Sequence, residues 1–128
     1  EYMDRTNWSG TLGKGVENVI GNIFDGNTGS DIAANSAPWE FTLDLGAETT
    51  MLGANTRHWE SGYAPRSIEV LTSPDNATWK SHGTLAVSGG TQNWRFLKPV
   101  TARYLRYRVM SPNGRTDVTE FNIYVAKQ

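Results

Sequence analysis

Few residues of this chain have the types and spacing that catalysis needs, whereas one loop has the composition of a cation site. Only two histidines are present, His58 and His82, and neither stands in a spacing that builds a metal triad or a nucleophile–base pair. No GxSxG, HExxH, GxGxxG or P-loop pattern occurs. Zero cysteines remove a thiolate nucleophile, thiolate-held metals and any disulfide framework. Asp25, Asp31, Glu40, Glu60, Asp75 and Glu120 are carboxylates that folding could pair, but so short a list in a small chain points to a binding module rather than a glycosidase. The chain is therefore not expected to be an enzyme. The segment Asn22-Ile23-Phe24-Asp25-Gly26-Asn27-Thr28-Gly29-Ser30-Asp31 gathers hard oxygen donors around a glycine that permits a sharp turn. From these residues two readings stay open, a loop wrapped around Ca²⁺ and a solvated Asx-turn loop. The segment lacks the closing Glu of an EF-hand, so any completing carboxylate must come from elsewhere in the chain.

Short strands must position these groups. Thirteen Gly and five Pro bracket apolar or alternating runs at the spacing of a strand-and-turn protein. Trp39-Glu40-Phe41-Thr42-Leu43-Asp44-Leu45 puts Phe41, Leu43 and Leu45 on one face, and Ser67-Ile68-Glu69-Val70-Leu71 does the same with Ile68 and Val70. Arg103 to Val109 places Leu105, Tyr107 and Val109 opposite Arg106 and Arg108, and Phe121, Ile123 and Val125 alternate with Glu120, Asn122 and Tyr124. Ser73-Pro74-Asp75-Asn76 and Ser88-Gly89-Gly90-Thr91 have turn chemistry. No long segment carries a helical apolar period. The pattern predicts an all-β sandwich of two facing antiparallel sheets. Residues 10 to 38, interrupted by six glycines, are expected to form a long excursion of loops ahead of the first good strand.

Size and charge narrow the partners. A chain of 128 residues is expected to form one domain with one core, and five Trp, five Tyr and four Phe help to fill it. Twelve basic against thirteen acidic residues give a net charge of −1, which supplies neither a field for a phosphate backbone nor a polybasic patch for a membrane. Nucleic acid and membrane insertion are not expected as partners. The apolar runs are too short to cross a bilayer, and EYMDRTNWSG has no basic-then-apolar targeting pattern. Absence of cysteine is compatible with the cytosol and equally with a secreted protein whose targeting peptide has been removed.

Six stretches, in order along nearly the whole chain, resemble the coagulation factor V/VIII type C, or discoidin, domain, including the bacterial family 32 carbohydrate-binding modules. They are Trp8 with Val19-Ile20; Phe24-Asp25-Gly26-Asn27 followed by Ser30; and Trp39 to Gly46 with Arg57 at the end of a strand. Ile68 to Trp79, Ala102 to Arg106 and Thr119 to Tyr124 complete the set. The resemblance implies an eight-stranded jelly-roll sandwich, galactose-binding-domain-like. It also implies a structural calcium ion. In bacterial members a Glu on the last strand closes the site, a role that falls on Glu120. Asp25 and Ser30 would then offer side-chain oxygens, and Asn22, Asn27 and Thr119 mainly backbone carbonyls. Ser30 stands where Thr is usual and Ile32 where Trp is usual.

In sugar-binding relatives the ligand sits in a shallow site made by loops at one end of the sandwich. Arg57-His58-Trp59-Glu60-Ser61-Gly62-Tyr63 corresponds to one such loop: Arg57 and His58 offer directed donors, and Trp59 or Tyr63 a flat apolar face for the C–H groups of a sugar. Asn113, Gly114 and Arg115, in the loop before the last strand, are secondary candidates. Ala33 stands where galactose-binding relatives often have His. Trp8, Trp39, Trp79 and Trp94 read as core or semi-buried aromatics, the Arg103, Arg106 and Arg108 face as solvated, and His82 receives no role. The resemblance implies a non-catalytic, calcium-stabilised module for glycans, at the cell surface or outside the cell (or in the periplasm), joined to other domains of a larger bacterial polypeptide. The alternative is a structural or adhesion domain packed on a neighbour, or contacting protein or lipid. Eukaryotic relatives of that kind usually join their ends with a disulfide, which this chain cannot make.

Overall fold

The computed structural model describes residues 1–127. Eight strands form, all paired antiparallel: β1 Ser9–Leu12, β2 Ile32–Ala34, β3 Trp39–Arg57, β4 Ser67–Ser73, β5 Lys80–Ala86, β6 Thr91–Ser111, β7 Thr116–Val118 and β8 Glu120–Tyr124. Among the described residues helical structure is confined to two 3-10 turns, Ile20–Ile23 and Ser61–Tyr63. The fold is the expected all-β jelly-roll sandwich, but hydrogen bonding joins its layers more closely than two separate sheets would. β3 and β6 are 19 and 21 residues long, and each serves both layers. The Trp39–Asp44 half of β3 pairs with β1 and with the Tyr104–Val109 half of β6, while its Gly53–Arg57 end pairs with β8 and the Thr91–Arg95 end of β6. Between the halves the register slips at Asp44/Thr49 and again at Met51/Gly53, where bulges let the long strands bend.

Period-two alternation explains the core. Phe41, Leu43, Leu105, Tyr107, Val109, Ile68, Val70, Phe121 and Ile123 are all fully buried, while the alternating Glu40, Asp44, Glu69, Arg106, Arg108 and Asn122 are partly exposed. The two layers meet at three rings: Phe41 stacks on Tyr107 at 5.2 Å, and both present faces to Phe121 at 5.5 Å, edge-on. Trp8, Trp39 and Trp94 are buried as the sequence implied. Trp79 is half-buried, also within that reading, with the Arg106 guanidinium 4.0 Å above its ring. On the outer face Arg103 pairs with Asp44, Arg106 with Glu40, and Arg108 with both Glu40 and Glu69.

Residues 10 to 38 depart from the expected run of loops. β1 runs into this region from Ser9 and pairs with β3 from Ser9↔Asp44 to Leu12↔Phe41. It escaped the pattern because none of its residues is buried and because Gly10 replaces a side chain that would collide with the Thr42 carbonyl, 2.5 Å from where its Cβ would lie. β2 pairs with β7 as a separate two-stranded ribbon, and Trp39 Nε1 donates to Thr116 Oγ1 at 2.7 Å, tying that ribbon to β3. Backbone bonds from Met3 N–H to the Ile123 carbonyl and from Val125 N–H to the Glu1 carbonyl bring the chain ends together. No helix among the described residues is long and apolar enough to cross a membrane.

Candidate functional site

The C-terminal end of β3, the start of β8 and the β2–β7 ribbon converge at one end of the sandwich. Arg57 is the last residue of β3, in register with Glu120, and its carbonyl accepts the Thr119 N–H at 2.7 Å. The next residue differs from its expected role as a ligand donor. His58 is buried, its side chain wholly inaccessible, and both ring nitrogens are engaged within the fold. Nδ1 lies 2.6 Å from the Asp117 carbonyl, an acceptor only, so Nδ1 carries the proton and donates. Nε2, 3.0 Å from Thr56 Oγ1, then accepts from the hydroxyl. Burial pushes the His58 pKa below the usual histidine value, against hydrogen bonds to Asp117 and Gln92 that favour its charged form. The imidazole is thus neutral, and its 4.0 Å approach to Asp117 Oδ1 is not an ion pair. His58 is a peg that fixes the loop, held also by its N–H to the Gly90 carbonyl at 2.9 Å.

With His58 pinned inward, the chain presents Trp59 outward. Trp59 is 62% exposed although its backbone N–H is anchored on the Asp117 carboxylate at 3.1 and 3.3 Å. The Ser61–Tyr63 turn then folds back, with Tyr63 N–H on the Glu60 carbonyl, and leaves Tyr63 38% exposed. Trp59 stands between two shallow depressions. One, about 320 Å³, is lined by Thr28, Arg57, Thr91 and Thr119 among others. The other, about 210 Å³, is lined by Asp31, Tyr63, Arg115 and Asp117. Arg57 is exposed and enters none of the ion pairs among the described residues. Arg115 reaches the second depression with its guanidinium already engaged by Glu17 at 2.8 and 3.3 Å and Asn35 at 2.8 Å. Asn113 is exposed in the β6–β7 loop and lines neither depression.

Asp117 was not singled out by the sequence, and Asp31 only as one of several carboxylates. Asp117 faces Ala33 across the ribbon, and Asp31, two residues before Ala33, lies diagonally from it on the same face. Burial raises the Asp117 pKa to about 7, opposed by the Trp59 N–H and reinforced by the Asp31 carboxyl close beside it. A single Asp in a short polar strand, Thr116-Asp117-Val118, gives no periodic signal by which to find it.

The oxygen-rich loop lies beside this end. Ser30 Oγ is 2.6 Å from Asp25 Oδ2, 3.1 Å from the Asn27 carbonyl and 3.5 Å from the Asn22 carbonyl. Gly26 at φ 76° makes the turn, and its N–H donates to Glu120 Oε2 at 3.2 Å. Asp25 is subject to burial that raises its pKa, but hydrogen bonds from Ser30 and the Asn27 N–H prevail and hold it below the usual range. Glu120 moves the other way: burial raises it, Arg5 at 2.9 Å opposes, and the Asp25 charge adds to the rise. Two carboxylates, a hydroxyl and two carbonyls make an all-oxygen donor set that fits a hard cation such as Ca²⁺. Thr119 lines the Arg57 depression, and Asn22 also spends its side-chain amide on the Asp31 carbonyl at 3.0 Å. Arg5, absent from the sequence-based reading, is the cation that the structure places on Glu120, with bonds also to the Phe121 and Ile23 carbonyls.

Comparison with known proteins places the architecture. No curated protein sequence matches the chain. Among solved structures, the C-terminal domain of a chitobiase from Bacteroides fragilis is similar, with 17% identity, TM-score 0.84 and 98% of each chain covered. CBM32-3 from a family 31 glycoside hydrolase of Clostridium perfringens shares 15% identity at TM-score 0.84, covering 98% of this chain and 95% of that one. The family 32 CBM of Clostridium perfringens NanJ, in complex with galactose, shares 13% at TM-score 0.82, covering 95% and 96%. At these identities the likeness shows a common fold. A family model, that of the F5/8 type C domain, matches residues 5–122, and the chain belongs to that family.

Proposed function

We propose that this domain is a non-catalytic carbohydrate-binding module whose ligand lies against Trp59 at the loop end of the sandwich. The observation that carries this is Trp59 itself: a large aromatic, 62% exposed, held by an anchored backbone between two polar depressions. A ring so exposed offers its face to the C–H side of a sugar, while the Arg57 guanidinium and the surrounding hydroxyls supply directed hydrogen bonds. The galactose complex of the NanJ module supports the reading by fold likeness. Ala33 leaves no imidazole at its position on the ribbon, so galactose is not the assigned ligand.

Asp25, Ser30, Glu120 and the carbonyls of Asn22 and Asn27 would hold calcium, with Thr119 adding a carbonyl from the start of β8. The ion would supply positive charge that cross-links the first loop to the last strand, adding its binding energy to folding. The module would act outside the cell or on its surface as one domain of a larger polypeptide, where linkage offsets the weak affinity of a shallow site.

A second reading, a domain packed against a neighbour, is favoured by Leu97. It is fully exposed on β6 beside a groove of about 700 Å³ lined also by Lys80, Arg95 and Lys98. A glycan-array screen in calcium buffer, with Trp59→Ala alongside, separates the two. Trp59-dependent hits support the carbohydrate module, and silence from a folded domain supports the packed one.

A further inference from the structure

The depression on the Asp31 side of Trp59 has a chemistry that the Arg57 side lacks. Asp117 is almost wholly buried, its side chain 4% exposed, yet its carboxylate accepts only one backbone N–H, shared between its two oxygens. A carboxylate has about four acceptor positions, so most of this one's capacity is unused and opens on the depression. Asp31 stands beside it with one oxygen taking the Asn18 amide at 3.0 Å. The one cation lining the depression, Arg115, is held by Glu17, and its single charge is shared among Glu17, Asp31 and Asp117, three acidic groups against one basic one. Two exposed aromatic rings, Trp59 and Tyr63, line the same space.

From this we infer that the Asp31–Asp117 depression is a subsite for an amine-bearing sugar, one whose free ammonium group bonds the two carboxylates while its ring rests on Trp59. The inference rests on the carbohydrate reading of the Trp59 site. A neutral hydroxyl donates only one hydrogen bond to the two carboxyl groups. An ammonium offers three donors and a charge opposite to that of a carboxylate. It also gains from the faces of the two rings. An N-acetylated sugar has lost that charge, and a uronate meets repulsion. Across Trp59 the free Arg57 guanidinium and the threonine hydroxyls of the first depression suit an uncharged neighbouring residue, so the preferred ligand is an oligosaccharide rather than a monosaccharide.

Calorimetric titration with a fully deacetylated glucosamine tetramer and with its N-acetylated counterpart, at a pH where the amine is protonated, tests this. The deacetylated tetramer is expected to bind at least tenfold more tightly. Asp31→Asn, at a partly exposed position that leaves Asp117 its Trp59 anchor, is expected to bring the ratio near one. Trp59→Ala is expected to abolish binding of both, and tetralysine is expected not to compete. An N-acetylated tetramer that binds as well or better, a ratio unmoved by Asp31→Asn, or effective competition by tetralysine overturns the inference. If neutral sugars bind in a Trp59-dependent way without amine preference, this inference alone falls; if a folded domain binds no sugar, the carbohydrate reading falls with it.

Discussion

At the scale of single residues, His58 and Trp59 show how one position can be buried in the fold and the next presented to solvent. The sequence offered both as ligand contacts, and only burial separates them. Donor chemistry is legible in a sequence, but the direction in which a side chain points at the end of a bulged strand is not. His58→Ala strands the Thr56 hydroxyl and the Asp117 carbonyl, and is expected to cost roughly 2–3 kcal/mol of stability, measured by urea unfolding. Trp59→Ala, at an exposed ring, is expected to change stability by less than about 0.5 kcal/mol in the same assay. Asp117 adds a pH dependence of definite sign. Its folded-state pKa is raised from 3.8 to about 7, so between those values the folded chain holds a proton that the unfolded chain releases, and stability falls as pH rises through that window. Asp117→Asn retains an acceptor for the Trp59 N–H and is expected to remove this decline in wild-type-minus-variant unfolding curves. An unchanged slope would mean that Asp117 titrates as an ordinary aspartate.

At the scale of elements, what could be read from the sequence follows the alternation of apolar residues. The faces of β3, β4, β6 and β8 were legible because Phe41, Ile68, Val70, Tyr107 and Phe121 alternate with polar neighbours. β1 and the β2–β7 ribbon were not, since β1 buries none of its residues and Ile32, Ala33 and Ala34 are buried without alternation. The lengths of β3 and β6 were hidden for another reason: register breaks at Leu45–Glu48 of β3 and at Phe96–Pro99 of β6 interrupt the period without interrupting the strand. Phe121 is the test of how the layers are joined. Phe121→Ala removes the ring that both Phe41 and Tyr107 meet, and is expected to cost about 3–5 kcal/mol in denaturant unfolding. A cost near that of a surface substitution would contradict the packing of β8 against the other layer.

For the whole molecule, the first loop and last strand meet at Arg5, Asp25, Ser30 and Glu120, so a bound cation would act on global stability rather than on one loop. If calcium binds this oxygen set, the melting temperature rises with calcium concentration above its dissociation constant and falls on chelation. Glu120→Gln is expected to abolish that dependence, and its persistence would place any calcium elsewhere. Asp25, Ser30 and Asn27 were legible as a donor-rich loop. Arg5 was not, because nothing in the sequence connects residue 5 to residue 120.

The central claim is that the exposed Trp59 face binds carbohydrate, and the most direct measurement is calorimetric titration of the best oligosaccharide from an array screen into the wild-type domain and into Trp59→Ala. The account predicts saturable binding by the wild type and a loss of at least about tenfold in affinity, ~1.4 kcal/mol, in a variant that unfolds at the same temperature. Equal affinity of the two proteins for that sugar would contradict it.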